Sequence, residues 1–245
     1  MTRGAIVVGA SSGIGEALAR ELADLGYEVG LAARRTERMA AIGAELPTQS
    51  YVATMDVTET DDAREAFFEL TEAMDSVDVV VLNAGVGHSN YELDWELERE
   101  TIDVNVRGFV ALATAAMEYF EENDDHASER DGHLVGISSV AAHVSVGGLQ
   151  AYYASKAFVS SYLEGLRARQ RSVDSDVAIT TIEPGYVDTA LSGGEFWQCS
   201  PETAAKQIAR AIESERGHVY VTRRWRLVAW TLDLLPAFVV RRLVG

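Results

Sequence analysis

Lysine is nearly absent from this chain. Of 245 residues only Lys156 and Lys206 are lysines, which leaves 19 of the 21 basic residues as arginines. Cysteine is scarcer still, and Cys199 alone excludes an internal disulfide and fits a reducing compartment. An excess of basic charge is also missing. The 38 acidic residues against 21 basic ones give a formal charge of −17, which repels nucleic acid and anionic lipid surfaces. An acidic, lysine-poor surface predicts a salt-rich cytosol, because a Debye length of about 3 Å at about 1 M salt screens such self-repulsion. The N-terminus, 1-MTRGAIVVG-9, enters a strand at once and has neither the apolar run nor the cleavage site of a signal peptide, so the expected location is cytoplasmic. No apolar run reaches the roughly 20 residues of a membrane span. Even in the tail, 223-RRWRLVAWTLDLLPAFVVRRLVG-245, Asp233 and Pro236 interrupt it. No His/Cys/Asp/Glu cluster has metal-ligand spacing.

What is present is alternation. Seven short apolar runs, 4–9, 27–33, 50–57, 77–83, 133–139, 177–183 and 218–222, read as strands buried on both faces. Amphipathic segments such as 13-GIGEALARELADLG-26, with Ile14, Leu18, Leu22 and Leu25 on one stripe, separate them. Strand then helix, repeated, predicts an α/β fold: a doubly wound, Rossmann-type parallel sheet with helices on both faces, in three layers and one domain over 1–245. The acidic run 121-EENDDHASERD-131 reads as a solvated loop. The tail at 223–245 reads as an apolar helix packed on the core or a partner subunit, as a lid, or as an interfacial membrane helix.

Between the first strand and the first helix lies 7-VVGASSGIGEA-17, which puts Gly9, Gly13 and Gly15 at the turn, with Ser11, Ser12 and Ile14 between them. Glycine there lets backbone N–H groups approach a pyrophosphate at the positive end of the helix dipole. The second strand should end near Ala33, where an NAD site offers an acid to the ribose 2′-hydroxyl. This chain reads 32-AARRTER-38, with no acid before Glu37. Arg34 and Arg35 suit the 2′-phosphate of NADP(H), which is therefore expected over NAD(H).

The stretch 149-LQAYYASKAF-158 sets Tyr152 and Tyr153 four and three residues before Lys156, so on a helix both share its face. A tyrosine with a pKa near 10 is a poor acid–base catalyst at neutral pH, and a neighbouring ammonium favours its phenolate. Helix geometry leaves the choice between the two tyrosines open.

Together, 9-GASSGIG-15, 83-NAG-85, 103-DVNVRG-108, 138-SSVAA-142, 152-YYASK-156 and 184-PGYVDT-189 resemble the short-chain dehydrogenase/reductase family in order and spacing over nearly the whole chain. The resemblance implies that Tyr152, 13 residues after Ser139 and four before Lys156, is the acid–base tyrosine. It implies that Lys156 lowers the tyrosine's pKa and holds the nicotinamide ribose, that Ser139 orients the substrate with Tyr152, and that Asn105 supports a proton relay. It also implies that Asp56 and Val57 flank the adenine, that Asn83, Ala84 and Gly85 lie beside the cofactor ribose, and that Pro184, Gly185, Val187 and Thr189 grip the carboxamide. The expected activity is hydride transfer between NADP(H) and a small carbonyl or alcohol, in a homodimer or homotetramer. Val8 and Leu82 depart from the family pattern at positions outside the catalytic set. The stretch 190-ALSGGEFWQCS-200 is short for a substrate lid, with Phe196 and Trp197 as apolar covers. A binding-only NADP sensor and a membrane-associated lipid reductase are the alternatives. Tyr153 is expected to pack against core or subunit interface.

Overall fold

All seven apolar runs become strands: β1 Gly4–Val8, β2 Glu28–Ala33, β3 Ser50–Thr54, β4 Val79–Leu82, β5 His133–Ile137, β6 Ala178–Pro184 and β7 His218–Val221. The computed structural model of the chain describes residues 2–122, 132–173, 175–191 and 196–234. Every strand pair is parallel, in the order β3-β2-β1-β4-β5-β6-β7. The registers place Val7 beside Leu31 on one side and Val81 on the other, deep in the sheet.

Strand side chains alternate between two cores. Ala5 and Val7 join α1 (Gly13–Asp24), α2 (Thr36–Ala44) and α7 (Pro201–Glu213) on one face. Ile6 and Val8 join α3 (Thr60–Ala73), α5 (Phe109–Glu122) and α6 (Gln150–Val173) on the other. Both faces are thus dry, which is why the strands read as continuous apolar runs instead of alternating ones. This is the expected three-layer, doubly wound architecture.

The strand order reverses between β1 and β4. In such sheets the crevice outside the carboxyl ends of the strands at this switch point is where ligands bind. A long helical run, α4 (Trp95–Ile102) continuing through Asp103–Gly108 into α5, lies above it. The middle segment is a π-helical turn, a local widening often found at functional sites. Gly108 closes that turn where a Cβ would come within 2.5 Å of the Val57 carbonyl, so close approach demands glycine.

The tail forms α8 (Trp225–Leu234), packed on β7 and on the short 3₁₀ turn Val140–His143. Over the described residues this matches packing on the core, and no helix there is long and apolar enough to cross a membrane. Residues 235–245 of the expected tail helix, 123–131 of the expected acidic loop and 192–195 of the expected lid lie outside the described residues.

Candidate active site

The β1–α1 turn is built for close approach. Gly9 has φ of 85° and Gly13 of 57°, values that favour glycine. A Cβ on Gly15 would fall 2.2 Å from the Gly9 carbonyl oxygen and 2.6 Å from Asn83 Nδ2. Asn83 Nδ2 donates to Gly9 O at 3.1 Å, tying the end of β4 to this turn, and Ala84 stacks against Gly9. Ser12 caps α1 without a side-chain hydrogen bond, so the first-turn N–H groups keep no competing side-chain acceptor. Thr189 reaches the same turn from beyond β6, its Cγ2 3.0 Å from where a Gly13 Cβ would lie. A bare helix N-terminus ringed by positions too tight for a side chain fits a dinucleotide pyrophosphate.

The two arginines after β2 divide. Arg35 folds over the turn, with Nε and Nη2 donating to Ser11 Oγ at 3.2 and 2.9 Å and Nη2 to Ser12 Oγ at 2.8 Å. Arg34 stays exposed, 4.0 Å from Asp56. Asp56 Oδ1 accepts from the backbone N–H and hydroxyl of Thr58 at 3.0 and 2.8 Å, which fixes the carboxylate. Val57 beside it is buried.

The catalytic candidates converge from three elements. Asn105, in the π turn and almost fully buried, accepts from Val86 N–H at 2.9 Å and donates to Val86 O at 2.8 Å and Ser155 Oγ at 2.9 Å. Ser155 Oγ in turn donates to Tyr152 O at 2.8 Å, so Asn105 pins both the loop after β4 and the first turns of α6. Lys156 Nζ donates to Ile137 O at 3.0 Å, and a Gly85 Cβ would lie 3.3 Å from Nζ and 3.4 Å from Asn105 Oδ1. Glycine at 85 therefore leaves space above the ammonium. Ser138 anchors α6 by donating to Lys156 O at 2.8 Å. Ser139 caps the Val140–His143 turn, accepting from Ala141 N–H at 3.1 Å, and its hydroxyl lies 3.4 Å from Pro184 O.

Desolvation dominates the electrostatics of the free site. Burial pushes the Tyr152 phenol up, and the hydrogen-bonding interaction with Ser139 only partly offsets this. Lys156, whose ammonium lies 5.9 Å from the ring centroid, does not reverse it here. Burial also lowers Lys156 itself to about 8, which weakens the charge that was to favour the phenolate. Tyr153 is half-buried, and its ring meets Tyr152 edge-on at 6.0 Å.

The two histidines near the site part company. His88 Nε2 sits 3.0 Å from Glu100 without hydrogen-bond geometry. His143 joins a cluster that the sequence did not announce. Glu183, 1% exposed, takes His143 Nε2 at 2.7 Å and His218 Nε2 at 3.2 Å on one oxygen and Ser160 Oγ at 2.8 Å on the other. These residues edge a cavity of about 340 Å³ beside α6. Burial alone would push the Glu183 carboxyl up, but the two imidazoles outweigh it and hold it near 2, against an ordinary value of 4.5. A depressed carboxyl stabilises the fold above pH 4.5 and loses that contribution as the pH falls towards 2. Across that window the wild type should lose about 3 kcal/mol more than Glu183→Gln, measured by urea unfolding at each pH.

A parallel sheet with a glycine-lined turn at its switch point, and a serine, tyrosine and lysine gathered beside it, defines a nucleotide-binding α/β oxidoreductase. A profile of the short chain dehydrogenase family matches residues 3–198, so the chain belongs to that family. An uncharacterized oxidoreductase of Mycobacterium tuberculosis is 33% identical over 250 residues, covering 97% of this chain and 95% of that protein. Among solved structures, a short-chain dehydrogenase/reductase from Burkholderia phymatum in complex with NAD superposes with a TM-score of 0.83 at 20% identity, covering 94% of this chain and 92% of that one. An alcohol dehydrogenase from Thermococcus sibiricus, complexed with 5-hydroxy-NADP, gives a TM-score of 0.76 at 25% identity, covering 90% and 96%.

Proposed function

We propose that the chain is an NADP(H)-preferring carbonyl reductase or alcohol dehydrogenase, working as a cytoplasmic single-domain subunit of a homodimer or homotetramer. The observation that carries the reading is the convergence of Ser139, Tyr152 and Lys156 beside the tight glycine turn, where Gly85 leaves the Lys156 ammonium open on one side. A bound nicotinamide cofactor supplies or accepts the hydride. Gly9, Ser11, Ser12, Gly13, Ile14 and Gly15 would hold its pyrophosphate. Asp56 and Val57 would flank the adenine, and Asn83, Ala84 and Gly85 the ribose. Pro184, Gly185, Val187 and Thr189 would hold the nicotinamide end.

The chain's own residues handle the proton. Tyr152 donates its phenolic proton to the carbonyl oxygen in reduction and accepts one from the alcohol in oxidation. Ser139 Oγ holds the reacting oxygen, and its own position is fixed by the Ala141 N–H. Lys156 keeps a positive charge beside the tyrosine and the ribose, and Asn105 fixes the helix start that carries both.

Preference for NADP(H) rests on Arg34 and Arg35 and on the missing acid after β2. Arg35 is held at the lip of the turn by Ser11 and Ser12, where a 2′-phosphate would meet a planar donor fork. The test is oxidation of NADPH and of NADH over a panel of carbonyls, at about 0.1 M and about 1 M salt, where the Debye length falls from about 10 to about 3 Å. NADPH should be preferred, and Arg34→Ala with Arg35→Ala should cut kcat/KM for NADPH by about 10–100-fold, the effect of losing charge-assisted hydrogen bonds. A wild type that prefers NADH overturns the cofactor reading, and one that reduces no carbonyl overturns the activity.

A further inference from the structure

Gly185 follows directly on Pro184, whose carbonyl faces the Ser139 hydroxyl. The space where a Gly185 side chain would stand is taken by the indole of Trp225, from the far end of the chain: a Cβ there would fall 2.0 Å from Trp225 Nε1. Trp225 is 5% exposed, and among the described residues its Nε1 has no hydrogen-bond partner. Leaving a buried donor unpaired is costly, so such a group calls for an acceptor that arrives from outside.

Three further rings surround this indole. Tyr186 meets it edge-on at 5.6 Å, Trp197 at 6.0 Å and Phe196 at 6.1 Å. Phe196 and Trp197 stack on one another at 4.6 Å, and Arg224 clamps Trp197 by donating to its carbonyl at 2.9 Å with the guanidinium 5.2 Å from the ring centroid. Phe196 is nonetheless 60% exposed and Tyr186 41%. The box adjoins the reacting group through Gly185, since the carbonyl of the preceding Pro184 lies 3.4 Å from the Ser139 hydroxyl.

We propose that Trp225 is the specificity-determining residue of this enzyme: the box it anchors receives the flat apolar body of the carbonyl substrate, with the indole N–H as a polar anchor. The proposal rests on the carbonyl-reductase reading and names the substrate class for it. Aromatic walls favour flat ring systems.

The test compares kcat/KM for acetylnaphthalene, methoxyacetylnaphthalene and cyclohexanone. Wild type should prefer the naphthyl ketones over cyclohexanone by at least about tenfold. Trp225→Ala should erase the naphthyl preference. Trp225→Phe, which keeps a ring and loses the N–H, should keep most of that preference and lose about fivefold of the methoxy ketone's advantage over its parent. Reduction of cyclohexanone without a naphthyl preference, or ratios that neither variant moves, overturns the box and leaves the reductase reading standing. If no ketone is reduced, but acetylnaphthalene binds wild type in equilibrium dialysis with an affinity that Trp225→Ala weakens by at least about tenfold, the box stands and the activity reading falls.

Discussion

Tyr152→Phe should lower carbonyl reduction by about 10²–10⁴-fold, the usual contribution of a positioned proton donor, while the protein still binds NADPH. Ser139, its hydroxyl accepting from the Ala141 N–H, orients the reacting oxygen instead of protonating it, and Ser155 Oγ is spent on Tyr152 O. Tyr153 meets Tyr152 edge-on through its ring, which a phenylalanine keeps, so Tyr153→Phe should cost less than about tenfold. Burial keeps the Tyr152 phenol protonated well past neutral pH in the free protein, which suits the donor role in reduction. Alcohol oxidation needs the phenolate, so its rate should climb through the alkaline range where reduction holds level. Steady-state kinetics in both directions, with NADPH binding followed by fluorescence, checks the pair of variants. A Tyr152→Phe enzyme within tenfold of wild type would remove the tyrosine from the mechanism.

The fold was legible because both faces of the central strands are buried: runs such as 4-GAIVVG-9 and 77-VDVVVLN-83 carry no polar alternation to confuse them with a one-sided sheet. The glycine turn was legible for a similar reason, since Gly9 and Gly15 answer a local requirement for φ and close approach. What sequence spacing does not carry is burial. Lys156 stands one turn beyond Tyr152 as expected, yet whether its charge wins depends on solvent access, and desolvation governs both groups in the free protein. Nor does spacing carry long-range apposition. Gly185 and Trp225 are 40 positions apart, and nothing short of the folded chain brings the indole over that glycine. Arg34 and Arg35 look equivalent in the sequence. They separate only because Arg35, at the start of α2, faces Ser11 and Ser12 across the turn.

Lys156→Met should stabilise the free protein at pH 7 while removing its activity. The wild-type ammonium is 5% exposed and donates to Ile137 O, and desolvation alone lowers it to about 8 from an ordinary 10.5. A base depressed in the folded state costs stability wherever it is protonated. The cost is present in full below pH 8, amounts to about 3 kcal/mol, and is relieved as the pH rises from 8 towards 10.5. Methionine fills similar volume without a charge and gives up the hydrogen bond to Ile137 O, worth about 1 kcal/mol. The net gain at pH 7 is about 1–2 kcal/mol, or roughly 2–8 °C in Tm for a chain of this length. The gain should shrink and change sign as the pH approaches 10.5, because there the wild type no longer holds a buried charge. Urea unfolding at pH 7 and pH 10 measures the trend, and a variant less stable than wild type at pH 7 would contradict it. A lysine that weakens the fold, in a chain with only one other, makes physical sense if the site needs its charge more than the core needs its absence.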